Sequence, residues 1–507
     1  MNRPPRGAEA VPGERPGDSV RRSAGLALAS QAVTAAFTAI TTVFLVRALG
    51  PEEYGLWTLA LGFAGLMLLP ADFGVSQSAA RFIAERRGKP TEIAAVLAEA
   101  LRLKLILTSL FALLLFALAT PIASLYDAPD LAWPLRGVAV ALFGQSTVLL
   151  FAKAFVAMGR IAWQLRLFLS ESAVEMTATI ALVLIFGGAT SAAFGRVIGY
   201  LCGAVLGAML VWRLLGRRAV VERRGGPGLG ALGSYAGAML VVEGAFAVFS
   251  QLDVLLVGAL LGTTAVGIYG APLKLTVLLH YPGLALGQAI APRLARHPDH
   301  PPDLAAFYSG LRYLIILQTG IAVAIAVWAR PIVDLVLGPG YAESADVLRA
   351  LAPYVLLQGL GPLVSTSVNY LGEARRRIPI VLGSVLLNLI LIVVLTDAIG
   401  VTGAAISVDV SYAVYVGAHL WICTRLLDLS LRPLAVTALR TLPAAAALAG
   451  VLLALGTSEL GVVSWGAGIV CGTAAFLAVL IATRATSVAE LVEVPRAVLR
   501  GLRRSRT

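Results

Sequence analysis

The sequence predicts an all-α polytopic membrane protein with about 14 transmembrane helices. These form two pseudo-symmetric six-helix bundles, spans 1–6 and 7–12, around a central cleft, with two extra C-terminal helices. Three observations predict this: the composition, continuous apolar runs of membrane-crossing length, and an internal repeat. The 507 residues are 58% hydrophobic and only 13% charged, against roughly 25% charged in a soluble domain. Mean hydropathy is +0.86. So little polar material cannot cover an apolar interior in water, which excludes an ordinary soluble enzyme and a disordered chain. A membrane β-barrel would alternate apolar and polar residues with period two. Here the apolar runs are continuous and about 20 residues long, enough to cross ~30 Å as helix.

The chain opens with a Pro-, Gly- and Arg-rich cytoplasmic tail (1–22), expected to be disordered. The first apolar run is too long for a signal-peptide core. Candidate spans follow at 24–46, 54–73, 101–123, 136–157, 167–187, 192–215, 235–261, 264–291, 308–329, 347–370, 378–396, 402–424, 435–455 and 463–483. The expected units are an N-terminal bundle (23–220), a C-terminal bundle (234–428), an added helix pair (434–484) and a basic cytoplasmic tail (485–507). With the N-terminus inside, the inside segments carry 28 Lys and Arg. The outside loops carry three, Arg47, Arg136 and Arg330, beside nine acids. That asymmetry is the positive-inside signature and predicts that both termini are cytoplasmic. It also accounts for the net charge of +12 without a nucleic-acid partner, because the basic residues flank apolar spans. No loop is long enough to fold as a domain.

The repeat is read from ordered matches at nearly one offset. Leu49-Gly50, Gly55 and Trp57 match Leu261-Gly262, Gly267 and Tyr269. Ala119, Pro121-Ile122 and Leu125 match Ala329, Pro331-Ile332 and Leu335. Gly159 matches Gly372, and Ala192-Ala193 with Arg213-Leu214-Leu215 match Ala404-Ala405 with Arg425-Leu426-Leu427. Six spans per copy bring both copies in from the same side, related by a pseudo-two-fold along the membrane normal. Two such bundles enclose a cleft that rocking exposes to alternate sides, which is transporter architecture.

At these segments the chain resembles the oligosaccharide flippases of the MOP superfamily, the Wzx-like polysaccharide-biosynthesis branch. The residues are Arg47 through Trp57, Asp72-Phe73-Gly74-Val75, Asp253 through Gly258 with Gly267-Ile268-Tyr269, Leu337-Gly338 with Tyr341, and Gly400 through Ala405. The resemblance covers spans 1 to 12. It implies movement of undecaprenyl-pyrophosphate-linked oligosaccharide between the leaflets of a bacterial cytoplasmic membrane, for O-antigen, capsule or exopolysaccharide assembly. It also implies membrane lipids, a polysaccharide polymerase and other assembly proteins as partners, and ion-gradient drive without ATP. Consistently, no P-loop pattern occurs. The first span lacks the arginine cluster typical of peptidoglycan-precursor flippases, which argues against a lipid II substrate.

Ionisable groups inside a bilayer are costly and therefore functional candidates. For the substrate's pyrophosphate the candidates are Lys274, Lys153, Lys104 and Arg196. Lys274 stands out because it lies about 15 Å into its span; the alternative for it is a structural ion pair with an acid on a neighbouring helix, such as Asp253. Lys153 and Lys104 lie nearer the cytoplasmic face, where long side chains snorkel. For ion coupling the candidates are Glu171 and Glu175, four residues apart on one helix face, together with Asp253, Glu243 and Asp409. His280 and His419 are read as hydrogen-bonded structure, and Tyr200, Tyr235, Tyr354, Tyr412 and Tyr415 as packing or sugar-stacking groups. Tyr281-Pro282-Gly283 and Gly359-Gly361-Pro362 are expected to interrupt spans 8 and 10, as hinges or as close helix contacts. Cys202, Cys423 and Cys471 sit in apolar runs, and no metal-ligand spacing is present, so neither disulfide, metal nor cofactor is expected. Two other readings stay open: a cation-coupled multidrug or toxic-compound antiporter of the same superfamily, and a membrane-embedded polysaccharide polymerase or glycosyltransferase.

Overall fold

The computed structural model describes residues 16–232, 251–295, 301–487 and 490, with side chains from Val33 onward except Leu278. All regular structure among these residues is helical. Ten helices are long and apolar enough to cross a membrane, eleven if one bent pair is counted as a single span. Leu113, Ile185 and Val463 are 65%, 69% and 84% exposed on the outer surface. Apolar side chains facing outward and backbone groups satisfied inside helices are what hydrocarbon demands, so this is a multi-pass membrane protein.

Helix α1 (Pro16–Asp72) is two spans joined at Gly50. Gly50 takes φ 72°, ψ 175°, a conformation that costs glycine little. Pro51 then starts the second segment, where its missing N–H is no loss. The N-terminal half continues with α2 (Val75–Glu85), α3 (Pro90–Leu125), α4 (Ala132–Ala157), α5 (Ile161–Phe186), α6 (Gly188–Leu215) and the short α7 (Arg217–Glu222). The C-terminal half begins in the described residues with α8 (Gln251–Leu261). It continues with α9 (Thr263–Val277), α10 (Tyr281–Ile290), α11 (Leu304–Val327), α12 (Ala329–Val336), α13 (Ser344–Ala350), α14 (Ala352–Tyr370), α15 (Arg377–Ile399) and α16 (Val401–Leu427). Then α17 (Arg432–Ala454) and α18 (Val462–Ala467) extended by a π turn and α19 (Thr473–Ala482) form the last pair.

The repeat is written into the backbone. Residues with positive φ recur as Gly50 and Gly262, Asp127 and Gly338, Gly159 and Gly372, Gly187 and Gly400, Gly216 and Asp428. Each pair is separated by 211 to 213 residues. The turns that break the chain into spans therefore fall at the same places in both copies.

The cores show how the halves meet. One apolar core joins both halves at the end carrying the acidic loops. It runs through Leu45, Tyr54, Leu59 and Leu135 of the first half and Val266, Tyr269, Leu337 and Leu351 of the second. At the opposite end, which carries Arg86-Arg87, Arg217-Arg218 and Arg375 to Arg377, the halves have separate cores. Val75, Phe151, Phe155 and Leu210 belong to one, and Phe307, Leu314, Tyr412 and Val416 to the other. The halves are thus packed together at the acidic end and diverge toward the basic end.

Span 8 breaks where the sequence places the break: α9 and α10 are separated by a 3-10 turn at Leu278–His280, just before Pro282. Span 10 does not. Its 46° bend lies between α13 and α14, while α14 runs unbroken through Gly359, Gly361 and Pro362. Those glycines serve packing instead: a Cβ on Gly359 would lie 2.4 Å from the Gln318 side chain, and one on Gly361 2.6 Å from the Tyr412 hydroxyl.

Candidate functional site

Among the described residues, cavities lie between the halves, and two of them carry polar and charged linings. The first, about 250 Å³, is bounded by α1, α5, α6 and α9. Its charged lining is Glu171 and Glu175 from α5, Arg196 from α6 and Lys274 from α9. Arg196 Nη1 donates to Glu175 Oε1 at 2.6 Å, and its Nη2 donates to the Tyr200 hydroxyl at 3.1 Å. The guanidinium also lies over the Tyr200 ring, 4.6 Å from its centre. Glu171 is buried; its Oε2 accepts from Ser172 at 3.2 Å, while Oε1 has no donor. The α1 wall supplies Thr34, Thr38, Thr41 and Thr42. Spaced by four, three and one residues, these hydroxyls fall on one helix face.

The second cavity, about 330 Å³, is lined by Thr58, Gln251, Asp253, Lys274, His280, Tyr354, Gln358, Asn388 and Tyr412 among others. Asp253 is held by the Tyr269 hydroxyl at 2.7 Å and by the Val254 N–H at 2.9 Å. His280 Nδ1 lies 3.1 Å from the Gln358 carbonyl. Among the described residues, the buried side-chain oxygens of Thr58, Gln358 and Asn388 have no hydrogen-bond partner, and neither has Oδ1 of Asp409, which sits beside the lining residue Val408 on α16.

Lys274 and Leu61 line both cavities. The lysine is exposed to that internal space and makes no hydrogen bond or ion pair among the described residues. Of the expected alternative, a pair with an acid on a neighbouring helix, the pair with Asp253 is not formed; Asp253 is held by a tyrosine and a backbone N–H. Two cations face the first cavity: Arg196 is paired with Glu175, whereas Lys274 has no carboxylate within ion-pair distance among the described residues, and an anion placed beside it is attracted to both.

One of the four expected cationic contacts, Lys104, is corrected. Lys104 lines neither cavity: it is 1% exposed, with Nζ 2.6 Å from Asp72 Oδ1 and 2.7 Å from Ser76 Oγ. It also donates to the Ser146 carbonyl. It therefore neither snorkels nor faces substrate; it is a buried ion pair tying α3 to the end of α1, α2 and α4. Asp72, in one of the family-like segments, is its counter-charge. Lys153 is half-buried on α4 and lines neither cavity. Glu243 and Tyr235 lie outside the described residues. His419 is buried between the Tyr415 carbonyl, 2.8 Å from Nδ1, and Arg377, whose Nε lies 3.3 Å from Nε2. Both of its nitrogens are engaged, a structural role. The residues that sequence reasoning missed are uncharged: the threonine face of α1, Thr58, Gln358 and Asn388. The threonine spacing was a legible signal. The others carried none, because single polar residues in apolar helices also serve helix packing.

Residues 20–297, more than half of the chain, match the polysaccharide biosynthesis protein family. A relative from Haloferax volcanii, the probable low-salt glycan biosynthesis flippase Agl15, is 25% identical over 382 residues, 74% of this chain and 77% of that protein. Among solved structures, the lipid II flippase MurJ in an inward closed conformation superposes with a TM-score of 0.71 at 11% identity, over 89% of this chain and 97% of that one. An inward-facing multidrug resistance MATE transporter of the MOP superfamily gives 0.67 at 14% identity, over 78% and 94%. The fold is the one these two transporters share, and the chain belongs to the polysaccharide biosynthesis protein family.

Proposed function

We propose that this chain is a flippase for a prenyl-pyrophosphate-linked oligosaccharide, carrying the head group from the inner to the outer leaflet of a bacterial cytoplasmic membrane by alternating access. Cell-surface polysaccharide assembly is its setting, with a polymerase and other assembly proteins acting downstream. Both termini are on the cytoplasmic side, so the halves diverge toward the leaflet where the substrate is made. The observation that carries the reading is Lys274: an ammonium group with no ion pair among the described residues, between two polar cavities, beside Arg196. A pyrophosphate supplies the missing negative charge, and it binds an ammonium group and a guanidinium fork by charge-assisted hydrogen bonds. Family membership and the glycan flippase relative support the same substrate class.

The head group cannot cross hydrocarbon unaided, since each unsatisfied polar group costs several kcal/mol there. The threonine face of α1 and the amides of the second cavity offer sugar hydroxyls replacement hydrogen bonds. The lipid tail stays in the bilayer while the halves rock about the core they share at the acidic end. Glu171 and Glu175 next to Arg196, or Asp253 and Asp409 by the second cavity, are the candidates for coupling this motion to an ion gradient. A transporter needs no more chemistry than this, so the chain is read as a transporter rather than an enzyme.

The test is head-group translocation in liposomes of purified protein and undecaprenyl-pyrophosphate oligosaccharide, wild type beside Lys274→Ala. Translocation lost in the variant supports the reading. Translocation equal in both removes Lys274 from the pathway. Absence of translocation by folded wild type under every imposed ion gradient overturns the flippase assignment in favour of the antiporter.

A further inference from the structure

The proposed transport path leaves unused a groove at the basic end of the N-terminal half. It runs between α3 and α6, is floored by Phe151 of α4, is bordered by α7, and encloses about 320 Å³. Its walls are apolar, and Leu105 and Trp212, 42% and 55% exposed, place it on the lipid-facing surface. Two cations line it: Arg102 from α3 and Arg223 at the end of α7.

Neither arginine has a carboxylate partner among the described residues. Arg102 makes no hydrogen bond or ion pair there, and Arg223 Nε donates to the Val220 carbonyl at 2.6 Å. The neighbouring acids are already engaged. Glu92 is paired with Lys89 at 2.9 Å, Glu99 accepts from the Gly228 N–H at 2.9 Å, and Glu222 accepts from Arg218 at 2.8 Å. Along α3 the groove extends from Ala94 to Leu105, roughly 16 Å at 1.5 Å per residue, with Arg102 on its wall and apolar side chains to either side. An apolar trough opening on hydrocarbon, with two guanidinium groups that have no carboxylate partner among the described residues and an indole at its rim, is complementary to a lipid with a phosphate head.

We propose that this groove binds an anionic glycerophospholipid of the leaflet at the basic end. One acyl chain lies between α3 and α6, and the phosphate is held by Arg102 and Arg223. Guanidinium groups suit phosphate because their N–H fork matches its oxygens. The proposal is independent of the transported substrate, and its failure would leave the flippase reading untouched.

The test is lipid retention by the purified full chain, read by native mass spectrometry with phosphatidylglycerol and phosphatidylcholine in competition. Wild type is expected to retain phosphatidylglycerol by roughly tenfold over phosphatidylcholine, at about one favourable contact energy per basic residue. Arg102→Gln with Arg223→Gln should abolish that preference. Ala98→Phe, which fills the groove, should lower retention of both lipids. Arg375→Gln with Arg376→Gln removes equal charge from the same end of the other half and should leave the preference intact. No preference in wild type, a preference surviving in the first pair, or equal loss in the second pair would overturn the site. An undecaprenyl phosphate that displaces phosphatidylglycerol at far lower concentration would overturn the assigned occupant.

Discussion

Gly55 and Gly267 make the same contact with exchanged partners. A Cβ on Gly55 would lie 1.9 Å from the Thr263 carbonyl oxygen, and one on Gly267 would lie 1.9 Å from the Pro51 carbonyl oxygen. Gly55 and Gly267 are 212 residues apart, and so are Pro51 and Thr263. The junction of the halves at the acidic end is therefore self-complementary, as a two-fold contact must be. Arg47 reinforces it by donating to the carbonyls of Val336 and Leu335 at the end of α12.

That contact admits no side chain, so Gly267→Ala should open the acidic end. Overpacking of this kind costs typically ~1–3 kcal/mol, here set against the closed arrangement alone. Spin labels at positions 52 and 343, one on each half, should report a longer distance in the variant. An unchanged distance distribution would show that the closed arrangement absorbs the methyl group.

Lys274→Ala should reduce head-group translocation by about ten- to a hundredfold, the range of one lost charge-assisted hydrogen bond of ~1.5–3 kcal/mol. Lys274 has no ion pair among the described residues, so its removal breaks none there. Thermal unfolding in detergent should stay within a few degrees of wild type. A large loss of stability would assign Lys274 a structural role.

Lys104 and Asp72 predict the opposite pattern. Lys104→Met strands a carboxylate among buried groups, which costs ~3–5 kcal/mol, whereas replacing both partners by apolar residues is often neutral. Chemical unfolding should show Lys104→Met strongly destabilised and Lys104→Met with Asp72→Leu largely recovered. Equal destabilisation of both would show that the pair is not coupled.

Trp328 should control the last helix pair. Its indole N–H donates to the carbonyls of Leu452 and Gly456, both at 3.1 Å, and its ring meets Trp465 edge-on at 4.9 Å. A Cβ on Gly468 would lie 1.9 Å from that ring. Trp328→Ala removes ~3–5 kcal/mol of packing and should make the segment at 456–461 sensitive to protease, leaving the junction at Gly55 and Gly267 intact.

Outside the membrane-spanning segments, Glu490 pairs with Arg312 at 2.5 Å. Burial pushes its carboxyl upward, but hydrogen bonds from Arg312, the Ser487 N–H and Thr486 outweigh that and hold it below the ordinary glutamate value. A depressed carboxyl stabilises above its unfolded pKa of about 4.3 and loses that contribution as pH falls through the folded value. A fluorophore at Ser487 should thus show release of this segment only in acid, and Glu490→Gln should remove the transition.

The sequence was most legible where physics is one-dimensional. Apolar runs of span length, arginines on alternate loops and the paired turn glycines at 50 and 262 need no neighbours to be read. The ionisable residues were legible only as a list. Lys104 and Lys274 look alike in sequence, each a lysine in an apolar helix. One meets Asp72, Ser76 and the Ser146 carbonyl; the other lines the cavities between the halves. Gly359 and Pro362 resembled a hinge because glycine and proline break isolated helices, yet Gln318 and Tyr412 from other helices hold that segment straight by packing onto it.

By itself, then, the sequence determined that the chain crosses a membrane many times, that it is built of two copies and where its turns fall, since these follow from local transfer energies and backbone sterics. The tertiary structure decided which charges are neutralised and which are presented, where span 10 bends, and at which end the halves join. Those outcomes depend on groups distant in the chain coming within hydrogen-bonding reach, and in a low-dielectric interior a counter-charge at 2.6 Å decides what a lysine can do.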